Sequence, residues 1–189
     1  MAGPVSVAAV VLPPRTTLLK SSRVVLGDGR LRDSKHLTPA AREEWFRWLK
    51  KQQAVGRLYF SVSLVGEKIV DSKGIVPAVK IGIRRVLYRL QMSPDDCRLR
   101  LDGSLKAPAK YLNQQTVIRG DSTVPIIMLA SIAAKVRRDR RMMRLARRYV
   151  GYGFEIHKGY GTRKHYATLR RRGLSPLHRR SFLKKLFLR

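Results

Sequence analysis

The alternation of apolar and polar positions divides the chain into segments of two periods. Residues 5–12 (VSVAAVVL) are largely β-branched and free of charge, as in a strand buried on both faces of a sheet, and Pro13 and Pro14 end the run. Three more strands are expected at 58–65 (LYFSVSLV), at 97–101 and at 114–119, the last two running out into Asp102-Gly103 and Gly120-Asp121. Helical spacing begins after Thr38, which reads as an N-cap with Pro39 as the first helical residue; the helix runs to about residue 53 with Trp45, Phe46, Trp48 and Leu49 on its apolar side. A second helix falls within 67–91, with Pro77 tolerated early and Ile83, Val86, Leu87 and Leu90 facing a core. A long third helix over 125–149 places Ile126, Leu129, Ala130, Ala133 and Val136 against a sheet. Between 15 and 35 the chain reads as irregular, with a Gly27-Asp28-Gly29 turn at its centre. The order strand, helix, strand, helix, strand, strand, helix predicts an α/β fold, a mixed sheet flanked by helices. No repeat, linker or second boundary interrupts it. One domain is therefore expected over 1–189, an α/β core to about 149 and a basic C-terminal segment beyond.

Charge sharpens this picture. The 189 residues carry 41 Lys and Arg against 12 Asp and Glu, a formal net charge of +29. A surface so cationic attracts polyanions over a Debye length of about 8–10 Å, which makes nucleic acid the leading partner and an acidic membrane surface the second. The second half of the long helix concentrates the charge: Lys135, Arg137, Arg138, Arg140, Arg141, Arg144, Arg147 and Arg148 stand against Asp139 alone. No run of about 20 apolar residues exists to span a bilayer. A single cysteine, Cys97, excludes an intramolecular disulfide and a zinc site built on several thiolates, and fits a reducing, cytoplasmic compartment. Two acids stand out by position. Asp102 and Asp121 both end predicted strands, where open α/β sheets place their sites, and paired carboxylates there suit magnesium or manganese; each is also an ordinary turn residue beside glycine.

The runs VIRGDSTVPIIMLASIAAKVRRDRRM and YGFEIHKGYGTRKHYATLRRRGLSPLHRRSF resemble ribonuclease HII, the type 2 ribonuclease H that cleaves RNA in RNA–DNA hybrids. The A-S-I-x-A-K-V-x-R-D core, the H-K-G-Y-G-T turn and the G-x-S-P-x-H-R-x-S-F ending carry the resemblance in order. Upstream, AGPVSVAAVVLP is similar to the family's second-strand segment, DSKHL at 33–37 to its D-S-K-x-L motif, and VDSKGI at 70–75 to its I-D-x-x-N-I segment with Gly74 in place of Asn. The resemblance implies a ribonuclease H-like sheet, a monomer, and an endonuclease that uses two divalent ions, Mg2+ or Mn2+, held by four carboxylates. Asp102 and Asp121 match the third and fourth of these. Tyr160 matches the tyrosine that reads the junction where a ribonucleotide precedes DNA, at the sugar carrying the 2′-hydroxyl. Ser34 and Lys35, and with them His157, Lys158, Lys135 and Arg138, fall where contacts to the substrate are expected. RNA–DNA hybrid, or duplex DNA containing ribonucleotides, is the implied partner.

The sequence departs from the family pattern at its start. In the family a first strand carries adjacent Asp and Glu followed by G-R-G-P-L-A-G-P-V, whereas here Met1 precedes Ala2-Gly3-Pro4-Val5, so that first Asp-Glu pair has no counterpart. The expectation is that Met1 is an internal methionine, preceded in the natural product by about fifteen to twenty residues, one strand and its loop. A chain truly starting at Met1 is expected to lack this central strand, to hold two metals weakly and not to cleave. The alternative is a basic nucleic-acid-binding protein without catalysis. Of the remaining residues, Asp139 is expected to pair with arginine neighbours, Asp28 to sit in a turn, and Cys97 to be half-buried filler. Trp45 and Trp48 read as core, and His165 and His178 as phosphate-contacting or solvated residues of a basic tail.

Overall fold

The computed structural model describes residues 1–14, 25–26 and 29–184. Most of the irregular stretch, including Gly27 and Asp28, lies outside the described residues. Strand β1 (Val5–Val11) pairs with β4 (Tyr59–Val65), and a short antiparallel hairpin joins β2 (Val25–Leu26) to β3 (Gly29–Arg30). Strands β5 (Leu99–Asp102) and β6 (Gln114–Val117) run parallel, with Asp102 opposite Val117. The architecture is mixed α/β, as the pattern predicts, but among the described residues the strands pair two by two instead of joining one wide sheet. All seven residues of β1 are half-buried, so the charge-free run does not have the fully buried environment expected of it.

Helix α1 (Pro39–Ala54) begins as its sequence dictates. The Thr38 hydroxyl accepts the Ala41 N–H, and Trp45, Phe46 and Leu49 are buried. The expected second helix is two: α2 (Glu67–Lys73) and α3 (Ile75–Arg89), interrupted at Gly74, whose φ of +87° suits glycine and breaks the helical run. A four-residue turn of helix, α4 (Gly120–Thr123), follows β6, so Asp121 sits in a helical first turn and not at the strand end itself. Arg119, at φ +54°, makes the left-handed step that ends the strand early. Helix α5 (Pro125–Arg148) buries Ile127, Leu129, Ile132, Ala133 and Val136, which shifts the expected stripe by about one residue and leaves Ile126 and Ala130 half-buried.

The chain forms two compact units. The first comprises Met1–Ser6, Leu64–Val79 and Arg137–Arg189; the second comprises Val7–Ser63 and Lys80–Val136. The core of the second unit joins Leu37, Trp45, Phe46, Leu49 and Leu58 to Leu129, Ile132, Ala133 and Val136. Trp45 and Trp48 meet edge to face, with ring centroids 5.5 Å apart, as core residues do. The first unit packs Ala2, Met142, Leu145, Ala146, Phe154 and Leu177 around two short helices, α6 (Phe154–His157) and α7 (Arg163–Arg172). Cys97 is buried and free, and burial raises its thiol pKa.

Candidate active site

In the second unit, the end of β5 and the first turn of α4 bring Asp102 and Asp121 together. The Asp121 N–H donates to Asp102 Oδ1 at 3.3 Å. Gly120 makes this approach possible: a Cβ there would stand 2.6 Å from Ile127 Cδ1 and 3.4 Å from Asp102 Oδ1. Lys35 completes the arrangement. Its ammonium donates to Asp121 Oδ2 at 2.9 Å and lies 3.7 Å from Asp33 Oδ2. The hydrogen bond to Asp121 raises the Lys35 pKa against an opposing contribution from burial, and the charges of Asp121, Asp33 and Asp102 add to the rise.

Asp33, which the sequence marks only as the first residue of the D-S-K-x-L motif, joins this site. Only 8% exposed, it accepts the Lys35 N–H on Oδ1 at 2.9 Å and the Ser122 hydroxyl on Oδ2 at 3.2 Å. Burial alone would raise its pKa, but the Lys35 N–H, the Lys35 ammonium and the Ser122 hydroxyl outweigh it and hold the carboxyl below its usual range. The Asp-x-Lys spacing of an Asx turn was its available signal. Ser34 is buried beside it, with Oγ 2.8 Å from Ser131 Oγ and its carbonyl accepting Arg42 Nη1 at 2.9 Å, so its hydroxyl faces α5. Among the described residues no group of three or more His, Cys, Asp or Glu is disposed to hold a metal ion. The charges of Asp102 and Asp121 nevertheless both reach the Lys35 ammonium, and two hard carboxylates near one cation are a donor set that fits a metal bound by one or two carboxylates and a substrate phosphate, as magnesium commonly is.

The first unit carries the tyrosine turn. Tyr160 is 49% exposed and its ring lies over the Arg138 guanidinium, 4.6 Å from Cζ to the ring centroid. Arg138 is itself buried and bound to carbonyls, Nε to Pro4 O at 3.1 Å and Nη2 to Ala2 O at 3.3 Å. Lys158, half-buried with φ +49°, turns its ammonium back onto the Glu155 carbonyl. The three histidines of the tail are buried, against the expectation of a solvated surface. His157 and His165 stack with centroids 4.0 Å apart, and Phe154 meets both edge-on. Burial lowers all three pKa values, to about 4 for His165 and His178, so the cluster is neutral at neutral pH. Arginine covers the outside: Arg137, Arg141, Arg144 and Arg148 are exposed along α5 at spacings of four, three and four, one helical face. Lys135 is half-buried on the same helix, in the half that belongs to the second unit.

The family model for ribonuclease HII matches residues 1–186. A ribonuclease HII of Endomicrobium trichonymphae is 37% identical over 96% of this chain and 79% of its own length, and one of Dehalococcoides mccartyi is 38% identical over 99% and 83%. Among solved structures, the PCNA:RNase HII complex of Archaeoglobus fulgidus superposes with a TM-score of 0.69 at 20% identity, covering 98% of this chain and 88% of that one. The ribonuclease H2 of Pyrococcus horikoshii gives 0.58 at 21%, covering 93% of each. These two likenesses show the fold.

Proposed function

The chain belongs to the ribonuclease HII family, which makes it a ribonuclease H-type endonuclease of a metal-dependent kind, and we propose that it hydrolyses the RNA strand of RNA–DNA hybrids, including single ribonucleotides embedded in duplex DNA. The observation that carries the reading is the contact of Asp102 and Asp121 through the Asp121 N–H, at a strand end bordered by Lys35. In this reading Asp102 and Asp121 hold Mg2+ or Mn2+, which would activate water and neutralise charge on the leaving oxygen. Asp33 orders the Lys35 loop, Lys35 sets the charge beside Asp121, and Ser34 fixes the loop to α5. Tyr160 offers an exposed ring to the sugar at the junction between ribonucleotide and DNA, while Arg138 supports that ring from beneath and the α5 arginines meet phosphates. His157 and Lys158 shape the turn. We place the activity in the cytoplasm, in a monomer. No helix among the described residues is long and apolar enough to cross a membrane.

A nicking assay on duplex DNA carrying one ribonucleotide tests this proposal. Asp102→Asn is expected to lower cleavage at least a hundredfold, since removing a metal-holding carboxylate forfeits about 3 kcal/mol or more of transition-state stabilisation, and to leave duplex binding intact. Cleavage unchanged by that substitution overturns the assignment. A second reading, a nucleic-acid binder that does not cleave, rests on the net charge of +29 and on the exposed arginines along α5. It predicts hybrid binding indifferent to magnesium and no strand scission under any divalent ion.

A further inference from the structure

The buried histidines of the first unit form a hydrogen-bonded chain whose proton positions can be derived. A backbone N–H can only donate. The Ser175 N–H lies 2.9 Å from His178 Nδ1, and the Ser175 hydroxyl, which accepts the Leu177 N–H, is 2.8 Å from the same nitrogen. The Ser175 carbonyl oxygen, 3.2 Å from the same nitrogen, would call for a proton there, but the backbone N–H at 2.9 Å and the hydroxyl at 2.8 Å are shorter and decide it: His178 Nδ1 is the acceptor, and in the neutral ring Nε2 carries the proton. That Nε2 is 3.0 Å from His165 Nε2, which must accept, so His165 carries its proton on Nδ1. His165 Nδ1 is 2.9 Å from the carbonyl oxygen of Tyr160 and donates to it. A parallel chain starts at the Gly159 N–H, which donates to His157 Nδ1 at 3.1 Å and leaves His157 Nε2–H to donate to the Tyr152 carbonyl at 2.9 Å. The Tyr160 peptide is held on its other side as well, its N–H donating to the His157 carbonyl at 2.9 Å.

We propose that His178 and His165 act as positioning residues for Tyr160: Ser175 sets the tautomer of His178, His178 sets that of His165, and His165 anchors the Tyr160 carbonyl so that the ring is presented outward over Arg138. A packing role would need only the ring shapes. The chain needs more, because reversing His178 sets two lone pairs against each other in a buried place, and reversing His165 sets two N–H groups against each other and strips the Tyr160 carbonyl of its donor. The neutral state this requires agrees with the burial of both rings, His165 fully. The turn itself cannot compensate: Gly159 has φ +79°, and a Cβ there would stand 2.5 Å from the Ala2 carbonyl oxygen, so the backbone has one path. This role for the histidines rests on the reading of Tyr160 as the junction contact.

Two measurements on the full chain test it. Nitrogen-15 spectra of the histidine rings at neutral pH are expected to show protonated Nε2 in His157 and His178 and protonated Nδ1 in His165; any other tautomer in His165, or fast exchange between the two, overturns the proposal. Binding is then measured in chelator with an all-DNA duplex and with the same duplex carrying one ribonucleotide. His165→Phe, which keeps the ring and removes the donor, is expected to cut the preference for the ribonucleotide about tenfold, the value of one lost buried hydrogen bond. His165→Asn restores an N–H near the Nδ1 position and is expected to recover most of it; equal losses in the two variants overturn the proposal. Should Tyr160→Ala leave the preference unchanged, the reading of Tyr160 fails. The carbonyl carbon-13 shift of Tyr160 then decides the anchoring by itself, moved by His165→Phe and returned by His165→Asn, and its indifference to both sinks the anchor.

Discussion

The acid cluster of the second unit and the histidine cluster of the first solve opposite problems. Around Asp102 and Asp121 the groups are charged and partly open: Lys35, 72% exposed, balances Asp121 and Asp33 through contacts a competing cation can replace. Around Tyr160 the groups are neutral, buried and fixed, with His165, His178 and Phe154 excluding water and one ring and one carbonyl held on defined donors. The ammonium of the charged site can exchange partners at low cost because water already screens it. The neutral site cannot, because an unpaired group in it costs about 1–3 kcal/mol. On the proposed reading, a binding centre for ions and a geometric gauge for a sugar call for these two environments respectively.

Phe154→Ala should break the contrast most strongly. Phe154 is fully buried, stacks on Tyr152 and meets His157 and His165, so its removal is expected to destabilise the first unit by about 3–5 kcal/mol, read by denaturant unfolding. The Asp33–Lys35–Asp121 contacts should persist, detectable as an unchanged Lys35 ammonium signal.

Acid comes next. His165 and His178 have folded pKa values of about 4, below the unfolded value near 6.5, so the unfolded chain takes up protons first as pH falls. Their neutral state costs nothing above about pH 6.5, and stability is expected to decline from there toward pH 4 by a few kcal/mol in all, with His157, flanked by Glu155 and Lys158, adding in the same direction. Asp33, depressed in the folded state, contributes stability that is lost only as pH falls through its own lower range. A melting temperature flat between pH 4 and 7 would remove the neutral histidine core from this account.

The smallest effect belongs to Lys35→Met. Removing the ammonium beside Asp121 should raise divalent-ion affinity by a few-fold, no more, since an exposed ion pair is worth about 0–1 kcal/mol. Titration calorimetry with magnesium and manganese measures it. A fall in affinity would mean that Lys35 assembles the acids and does not compete for them.

Legibility differed along the chain for identifiable reasons. Thr38 and Pro39 announced α1 because a cap acts within one turn, and Trp45, Phe46 and Leu49 followed from helical spacing. Gly74 and Arg119 broke the expected helix and strand because a single positive φ overrides the periodicity around it. Asp102 and Asp121 could be singled out by their place beside glycines, yet their contact depends on Gly120 clearing Ile127.

By itself the sequence determined the family, the mixed α/β class and the cationic surface, and it singled out the two candidate acids, since these reside in motif order, short-range periodicity and net charge. The tertiary structure alone decided that Asp33 joins Lys35 and Ser122 and that three tail histidines lie inside. Their residue type is compatible with either side of the surface, and only the Phe154 core and the Ser175 and Gly159 donors, distant or opaque in sequence, make the buried neutral state the lower in free energy.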